Sequence, residues 1–367
     1  MQLNHIFQED LNAIFDSLTN AQKDIFAHST ILITGCGGFL GFYFMHFFTH
    51  FHQELKISKI IGLDNFMLFE PKWIHALQAK HAYLLEIHKF DIIKDSIDSL
   101  KSAKEANLII HMASIASPTF YRQYPIETLD ANIWGLRALL EYYSHQNIRG
   151  FLFFSSSEIY GDPVASQIPT DESYRGNVAS IGPRACYDES KRFGETMCYL
   201  FAQKYTMPIT IVRPFNNYGP GMHLGDKRVP ADFAQAILSD KEIKILSDGS
   251  PTRTFCYVAD AISGYLKTLA YGKFEYFNIG TDTPEISIKE LAYIYQNTGK
   301  KLLGYDKPII FGTSNDKEYL TDNPNRRMPN INKAKKLLNF SPKILVHEGV
   351  ERFLKFLIAQ NKEAQCK

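Results

Sequence analysis

The stretch Ile31-Leu-Ile-Thr-Gly35-Cys-Gly37-Gly38-Phe39-Leu40-Gly41 limits the fold more than any other part of this chain. An apolar run with strand character enters a turn dense in glycine, and an apolar helical pattern leaves it. Such a turn joins a buried strand to a helix packed on the same sheet, the opening of a βαβ unit. The alternation continues downstream. Residues 31–34, 59–64, 108–112, 151–155 and 209–214 read as buried strands with helical patterns between them. That is the rhythm of a parallel sheet covered on both faces. The expected fold class is α/β, a Rossmann-type doubly wound parallel sheet with a smaller C-terminal α/β lobe.

Ahead of the first strand, residues 1–29 form an extension in which Ile6, Phe7, Leu11, Ile14, Phe15 and Leu18 recur at helical spacing. They predict an amphipathic helix. The doubly wound domain is expected over 30–220, with 254–272 a helix packing back on it. Past about Gly219 the rhythm loosens into Gly, Pro and Asp clusters at 219–226 and 247–251, which places a second lobe over 221–367. The stretch 331–359 reads as two helices broken near Ser341–Pro342.

Lysine and arginine total 40 against 39 acidic residues. No one-signed field results, and nothing in the composition favours nucleic acid or an anionic membrane as a partner. The five cysteines lie scattered without a CxxC pair, which fits a reducing compartment. Residues 1–30 carry four acids and are no signal peptide, and 39–51 is too short to span a bilayer. A cytoplasmic protein is expected. His46, His50 and His52 have no carboxylate partner at ligand spacing, so no metal is expected.

The glycines at 35, 38 and 41 are spaced so that a backbone can approach a pyrophosphate at a helix N-terminus. A glycine triplet alone serves any tight turn; here strand and helix both flank it. The second strand ends at Asp64, roughly 20 residues past the last glycine, where a carboxylate accepts hydrogen bonds from ribose hydroxyls and repels a 2′-phosphate. NAD is thus expected over NADP. Asp91, at the end of a third strand expected at 90–92, is placed to meet the adenine, or is an ordinary turn aspartate.

Tyr187 and Lys191 stand four apart, on one face of a helix. A phenol near its free pKa of about 10 is a poor base. A neighbouring ammonium, aided by the positive nicotinamide ring, stabilises the phenolate and draws that value toward the working range. The strand end Ser155-Ser156-Ser157-Glu158-Ile-Tyr160-Gly161 supplies Ser156 as hydroxyl partner to a substrate OH, with Ser157 and Glu158 next on the loop.

Taken together, the glycine loop, the Ser-Glu-x-Tyr-Gly strand end and YxxxK resemble the extended short-chain dehydrogenase/reductase family, NAD-dependent nucleotide-sugar epimerase/dehydratase group. Residues 176–199, with Gly-Pro-Arg-Ala-Cys-Tyr-Asp-Glu at 182–189, most resemble the UDP-glucuronate decarboxylases (UDP-xylose synthases). So do 111–118, 214–220 and Arg326-Arg327-Met-Pro329. The likeness runs from about residue 30 to 358. It implies that Tyr187 removes the C4 hydroxyl proton, with Lys191 and Ser156 beside it, while NAD takes and later returns the C4 hydride. It further implies that Glu158, Ser157 and Arg253 orient the carboxylate that leaves as carbon dioxide and manage protonation at C5. By the same resemblance NAD contacts Gly35, Gly38, Phe39, Leu40, Gly41, Asp64, Asn65, Asp91, Ile92, Ala113, Tyr187 and Lys191. Tyr121, Asn216, Arg228 and Arg327 meet the nucleotide sugar, and helices around 132–146 and 186–204 join a homodimer.

The chain departs from the decarboxylase pattern in three places. Gly221 stands where an arginine is usual, Ser247 where an aromatic is usual, and Met67-Leu-Phe-Glu70 where a glycine–basic pair is usual. These leave the base and the sugar open. Ser157 in place of an aspartate disfavours 4,6-dehydration. A 4-epimerase needs only the Tyr–Lys pair and stays an alternative, and so does a non-catalytic sensor of NAD and nucleotide sugar.

Overall fold

The computed structural model describes residues 4–365. Seven strands form one all-parallel sheet: β1 (Thr30–Thr34), β2 (Lys59–Asp64), β3 (Leu85–Lys89), β4 (Leu108–His111), β5 (Gly150–Phe154), β6 (Ile209–Pro214) and β7 (Glu275–Ile279). Their spatial order is β7-β6-β5-β4-β1-β2-β3. The order reverses between β1 and β4, which pair with Thr34 opposite His111. Beyond their carboxyl ends lies the crevice that open α/β sheets use for ligands. The five strands anticipated from apolar runs all lie in this sheet, within a residue at either end.

Two strands differ from expectation. The third was expected at 90–92 but occupies Leu85–Lys89. The Asp91 carboxylate accepts from the Ile93 amide at 3.0 Å while Asp95 accepts from the Asp91 amide at 2.7 Å, so a turn begins where the strand was anticipated. The seventh, β7, was not anticipated. It follows the helix Val258–Leu269, which packs on β5 and β6, and pairs with β6 at the sheet edge.

The extension folds as α1 (His5–Ser17), capped by the Asn4 side chain, with Phe7, Leu11 and Ile14 buried. Its presence explains why the helix after the glycine turn, α2 (Phe39–His50), is apolar nearly all round. One side of α2 faces the sheet, and the other takes Phe7 of α1 against Phe42 and Tyr43 at centroid distances of 4.7 and 5.0 Å. Asp10 of α1 is fully buried and accepts hydrogen bonds from the Tyr43 and Tyr257 hydroxyls at 2.7 Å each, and from Arg352. His46, His50 and His52 of this region take separate partners: the Phe42 carbonyl, Gln8 and the Thr49 carbonyl.

Carboxyl-terminal to β6, α3 (Ala185–Tyr205) having preceded it, the chain adds α4 (Val229–Leu238), α5 (Ile288–Leu303) and α6 (Val346–Gln365) with short strand pairs. In one of these, Thr252–Arg253 lies beside Arg326–Arg327 in parallel register, which sets Arg253 opposite Arg327. Among the described residues no helix is long and apolar enough to cross a membrane, and Cys36, Cys186, Cys198 and Cys256 are free thiols.

Candidate active site

A cavity of about 1450 Å³ opens along the carboxyl edge of the sheet. Of the residues singled out from sequence, Gly35, Gly38, Phe39, Leu40, Gly41, Asp64, Asn65, Asp91, Ile92 and Ala113 line it. So do Ser156, Ser157, Glu158, Tyr187, Lys191, Asn216, Arg228, Arg253 and Arg327. Tyr121, expected at the sugar, does not. It is buried behind the wall, its ring stacked on Tyr187 at 5.2 Å with 12° between planes, so it packs the tyrosine and has no face toward the cavity.

The glycine loop fits a dinucleotide pyrophosphate. Gly38 is the N-cap of α2 and no side chain caps the helix, which leaves first-turn amides facing the cavity. A Cβ at Gly41 would sit 2.3 Å from the Cys36 carbonyl, so only glycine lets the helix close onto the loop. Asp64 accepts from the Gly37 amide at 2.9 Å and from the Phe66 amide at 2.8 Å, so it also holds the loop shut. Burial raises its carboxyl, opposed by those two amides; its remaining lone pairs are those available to a ribose.

Tyr187 and Lys191 sit on α3, both buried. The Lys191 ammonium donates to the Phe154 carbonyl at 2.8 Å and lies 5.6 Å from the Tyr187 ring centre. The anticipated pull of lysine on the phenol is not what the chain alone provides. Burial pushes the Tyr187 phenol up to about 12, and the groups that oppose this are the Ser156 hydroxyl, by a hydrogen bond, and Arg228. Burial likewise lowers Lys191 to about 7. A group entering beside them must supply whatever further stabilisation the phenolate needs.

Around Glu158 the structure gathers more positive charge than the sequence indicated. Arg184, which was not singled out, places Nη2 2.5 Å from Glu158 and Nε 3.5 Å from Asp188. Arg327 donates to the same glutamate. Burial would raise the Glu158 carboxyl, but Arg184 and Arg327, with Arg253 behind them, hold it down at about 2. Asp188 goes the other way: burial and the Glu158 charge push it up to about 7, against Arg184. The signal for Arg184 was present, since Arg184 and Asp188 are spaced four apart and straddle Tyr187.

Two further side chains are held by local partners. Asn216 donates to the Thr254 carbonyl at 2.9 Å, and Arg228 pairs with Asp226. At Gly221 φ is +86° and a Cβ would meet the Phe42 ring at 2.6 Å, so a side chain there is strained and crowded. Ser247 lines the cavity and accepts from the Gly249 amide at 3.1 Å. Met67, Leu68 and Phe69 are exposed at the rim, where the Phe69 ring meets His223 at 4.2 Å.

Residues 31–280 match the NAD dependent epimerase/dehydratase family. The chain is 34% identical to UDP-glucuronic acid decarboxylase 6 of Arabidopsis thaliana over 87% of its length and 86% of that protein. It is 33% identical to UDP-glucuronic acid decarboxylase 1 of Xenopus tropicalis, over 89% of this chain and 71% of that one. The fold is similar to UDP-glucose 4-epimerase of Thermotoga maritima, solved with UDP-glucose, at a TM-score of 0.77 and 24% identity over 90% of this chain and 99% of that one. It is also similar to UDP-glucuronic acid 4-epimerase of Bacillus cereus, solved with UDP-glucuronic acid and NAD, at 0.72 and 24% over the same shares.

Proposed function

The chain belongs to the NAD dependent epimerase/dehydratase family, whose cofactor is NAD, and on that premise we propose that it decarboxylates a nucleotide hexuronate through a transient 4-keto sugar. One observation carries the reading: the buried Arg184 and Arg327 pair with Glu158, with Arg253 opposite Arg327 in strand register, in the cavity that also holds Tyr187 and Lys191. A neutral hexose has no use for such a cluster, whereas a carboxylate is matched by guanidinium forks.

Bound NAD supplies reversible hydride exchange at C4 of the sugar. Tyr187, as phenolate, accepts the C4 hydroxyl proton, and Ser156 beside it holds that hydroxyl in line. Oxidation at C4 makes the C5 carboxylate a β-keto acid, so the C5–carboxyl bond breaks with its electrons delocalised into an enolate. In this scheme Ser157 and the ionised Glu158 hold a water beside that carbon, and a solvent proton relayed through it protonates C5 and restores the 4-ketone as carbon dioxide departs. Tyr187 gives its proton back as C4 is reduced. No net oxidation results. Asn216 and Arg228 serve the sugar and diphosphate in this scheme, and Asp64, Asn65, Asp91, Ile92 and Ala113 the adenosine half of the cofactor.

The relatives' names support the reaction. A homodimer is part of the proposal as well. Trp134, Phe193, Tyr199 and Leu200 are 61, 51, 50 and 55% exposed on the segments that the family resemblance assigns to the interface. Light scattering at the mass of one chain would remove that part. The reaction is tested by incubating the protein with NAD and UDP-, dTDP-, CDP- and GDP-linked hexoses and hexuronates, with products read by mass spectrometry. Loss of carbon dioxide from a uronate supports the proposal. Loss of water or an isomer of unchanged mass replaces it with dehydration or epimerisation, and no turnover of any uronate overturns it.

A further inference from the structure

The motif at the end of β5 holds more than the mechanism uses. Ser156, Ser157 and Glu158 serve the reaction, yet Ser155 and Tyr160 on either side of them are 3 and 1% exposed and bond into the core. Ser155 donates to Glu195 at 2.6 Å. Glu195 lies on α3 one turn past Lys191 and two past Tyr187. It takes Arg213 of β6 in a two-pronged pair, Nε to Oε1 at 2.8 Å and Nη2 to Oε2 at 2.6 Å. Nη1 of Arg213 donates to the Tyr160 hydroxyl at 2.7 Å and to the Glu172 carbonyl at 2.9 Å. The Tyr160 hydroxyl donates in turn to the Asn278 side chain at 2.7 Å. Asn278 stands opposite Arg213 on β7, and its Nδ2 donates to the Thr170 and Asn330 carbonyls at 3.0 and 3.2 Å. Thr170 in turn bonds the backbone of Met328 and Asn330, next to Arg327 in the chain.

One unbroken series of hydrogen bonds therefore runs from the residue beside Ser156 to the segment that carries Arg327. Glu195, Arg213, Tyr160 and Asn278 do not line the cavity; they lie behind its wall. Stability alone is a weak reason for such an arrangement. An ion pair taken out of water often contributes no more than apolar residues of the same volume. A fully partnered polar network, by contrast, fixes direction, and four of the five N–H bonds of Arg213 are directed here. The two ends of the series show what is being fixed. Ser156 meets the Tyr187 phenol, and Arg327 donates to Glu158. Each contact joins segments distant in sequence, and the same series holds both from behind.

We propose that Tyr160 and Arg213, with Glu195 and Asn278, are positioning residues for the C4 chemistry, holding Ser156 against Tyr187 and the Arg327 segment against Glu158 without meeting the sugar. The inference rests on Tyr187 as the base of the proposed reaction, and not on which bond breaks after oxidation. The Tyr160 hydroxyl is the direct side-chain link between the two halves. Glu172 supplies a second path, since its carbonyl accepts from Arg213 and its carboxylate from the Asn278 amide at 3.0 Å. Removing the hydroxyl therefore loosens the unit, and removing the arginine fork breaks both paths.

The test compares the parent holo-protein with Tyr160→Phe, Arg213→Lys and Tyr305→Phe on whichever nucleotide sugar the parent converts, beginning with UDP-glucuronate. Tyr305 is the control, a buried phenol bonded to the Lys241 carbonyl at 2.6 Å and outside the cavity wall. Turnover is expressed per NAD bound, so that unfolded molecules do not count. On that scale kcat should fall about tenfold in Tyr160→Phe and about a hundredfold in Arg213→Lys, the effect of a displacement near 1 Å. KM should stay within about twofold, and Tyr305→Phe should match the parent. With sugar deuterated at C4, the isotope effect on kcat should be as large as in the parent or larger. Turnover per NAD within twofold of the parent in both variants, a change in KM alone, an equal loss in Tyr305→Phe, or a smaller isotope effect would each overturn the assignment. If the parent yields an epimer, decarboxylation fails and the positioning role stands; a parent inert toward every nucleotide sugar removes both. If Arg213→Lys fails to fold, Tyr160→Phe carries the test alone.

Discussion

Lys191 offers a quantitative test because its burial opposes its function. It is 3% exposed, with a backbone carbonyl and two aromatic rings as neighbours and no carboxylate among the groups that shift it. A pKa of about 7 against an ordinary 10.5 corresponds to a charging penalty of roughly 5 kcal/mol. Between those two values the unfolded chain holds a proton that the folded one has released. Stability from this group therefore rises with pH across that window, and the penalty is complete below its lower edge. Lys191→Met keeps the side-chain length and removes the charge. Relative to the parent it gains most at pH 6, and by pH 9 the gap should shrink by about 2.5 kcal/mol. Losing the bond to the Phe154 carbonyl costs about 1–3 kcal/mol; the same cost enters at both pH values and cancels. Urea denaturation of both proteins without ligand, at pH 6 and pH 9 and equal ionic strength, reads the difference. A gap that is constant or widens with pH would refute the claim that burial of an unpaired ammonium dominates this position. The variant should also be inactive, which makes Lys191 a case of stability given up for chemistry.

Three further outcomes follow from the same structure. Tyr187→Phe should lower turnover by about 10²–10⁴-fold, the usual weight of a positioned base, with NAD affinity by calorimetry nearly unchanged; full activity would remove Tyr187 as the base. Gly41→Ala drives a Cβ to 2.3 Å from the Cys36 carbonyl, so NAD affinity should drop by more than about tenfold, with a stability loss on the order of 2 kcal/mol. Asp10→Ala strips two buried phenols of their acceptor and the half-buried Arg352 of one of its partners. It should cost about 3–5 kcal/mol in chemical denaturation, whereas a loss under about 1 kcal/mol would show that α1 is not anchored there.

Much of the fold was legible in local signals. The glycine turn, the apolar strand runs and the carboxylate ending β2 each depend on residues near one another in sequence, and all occupy their expected places beside the cavity. Strand β7 was not legible, because an edge strand of five residues, half-buried at its start, carries no apolar run to mark it. The turn at Asp91 was misread as strand because its hydrogen bonds run to residues two and four away rather than to a neighbouring strand.

The sequence by itself determined the chemistry available: a phenol and an ammonium one helical turn apart, a serine–glutamate strand end, and a loop that only glycine can form. It could not determine how charge is shared between distant segments. Arg327 meets Arg253 only because two short strands, separated by more of the chain than either contains, fall into parallel register. That Arg253 spends its donors on backbone while Arg184 and Arg327 pair with Glu158 depends on where the carbonyls of Thr252, Pro324 and Asn325 point. Burial decided the rest. Tyr187 and Lys191 are displaced in opposite directions by the same loss of water, and desolvation is a property of the packed neighbourhood rather than of any motif.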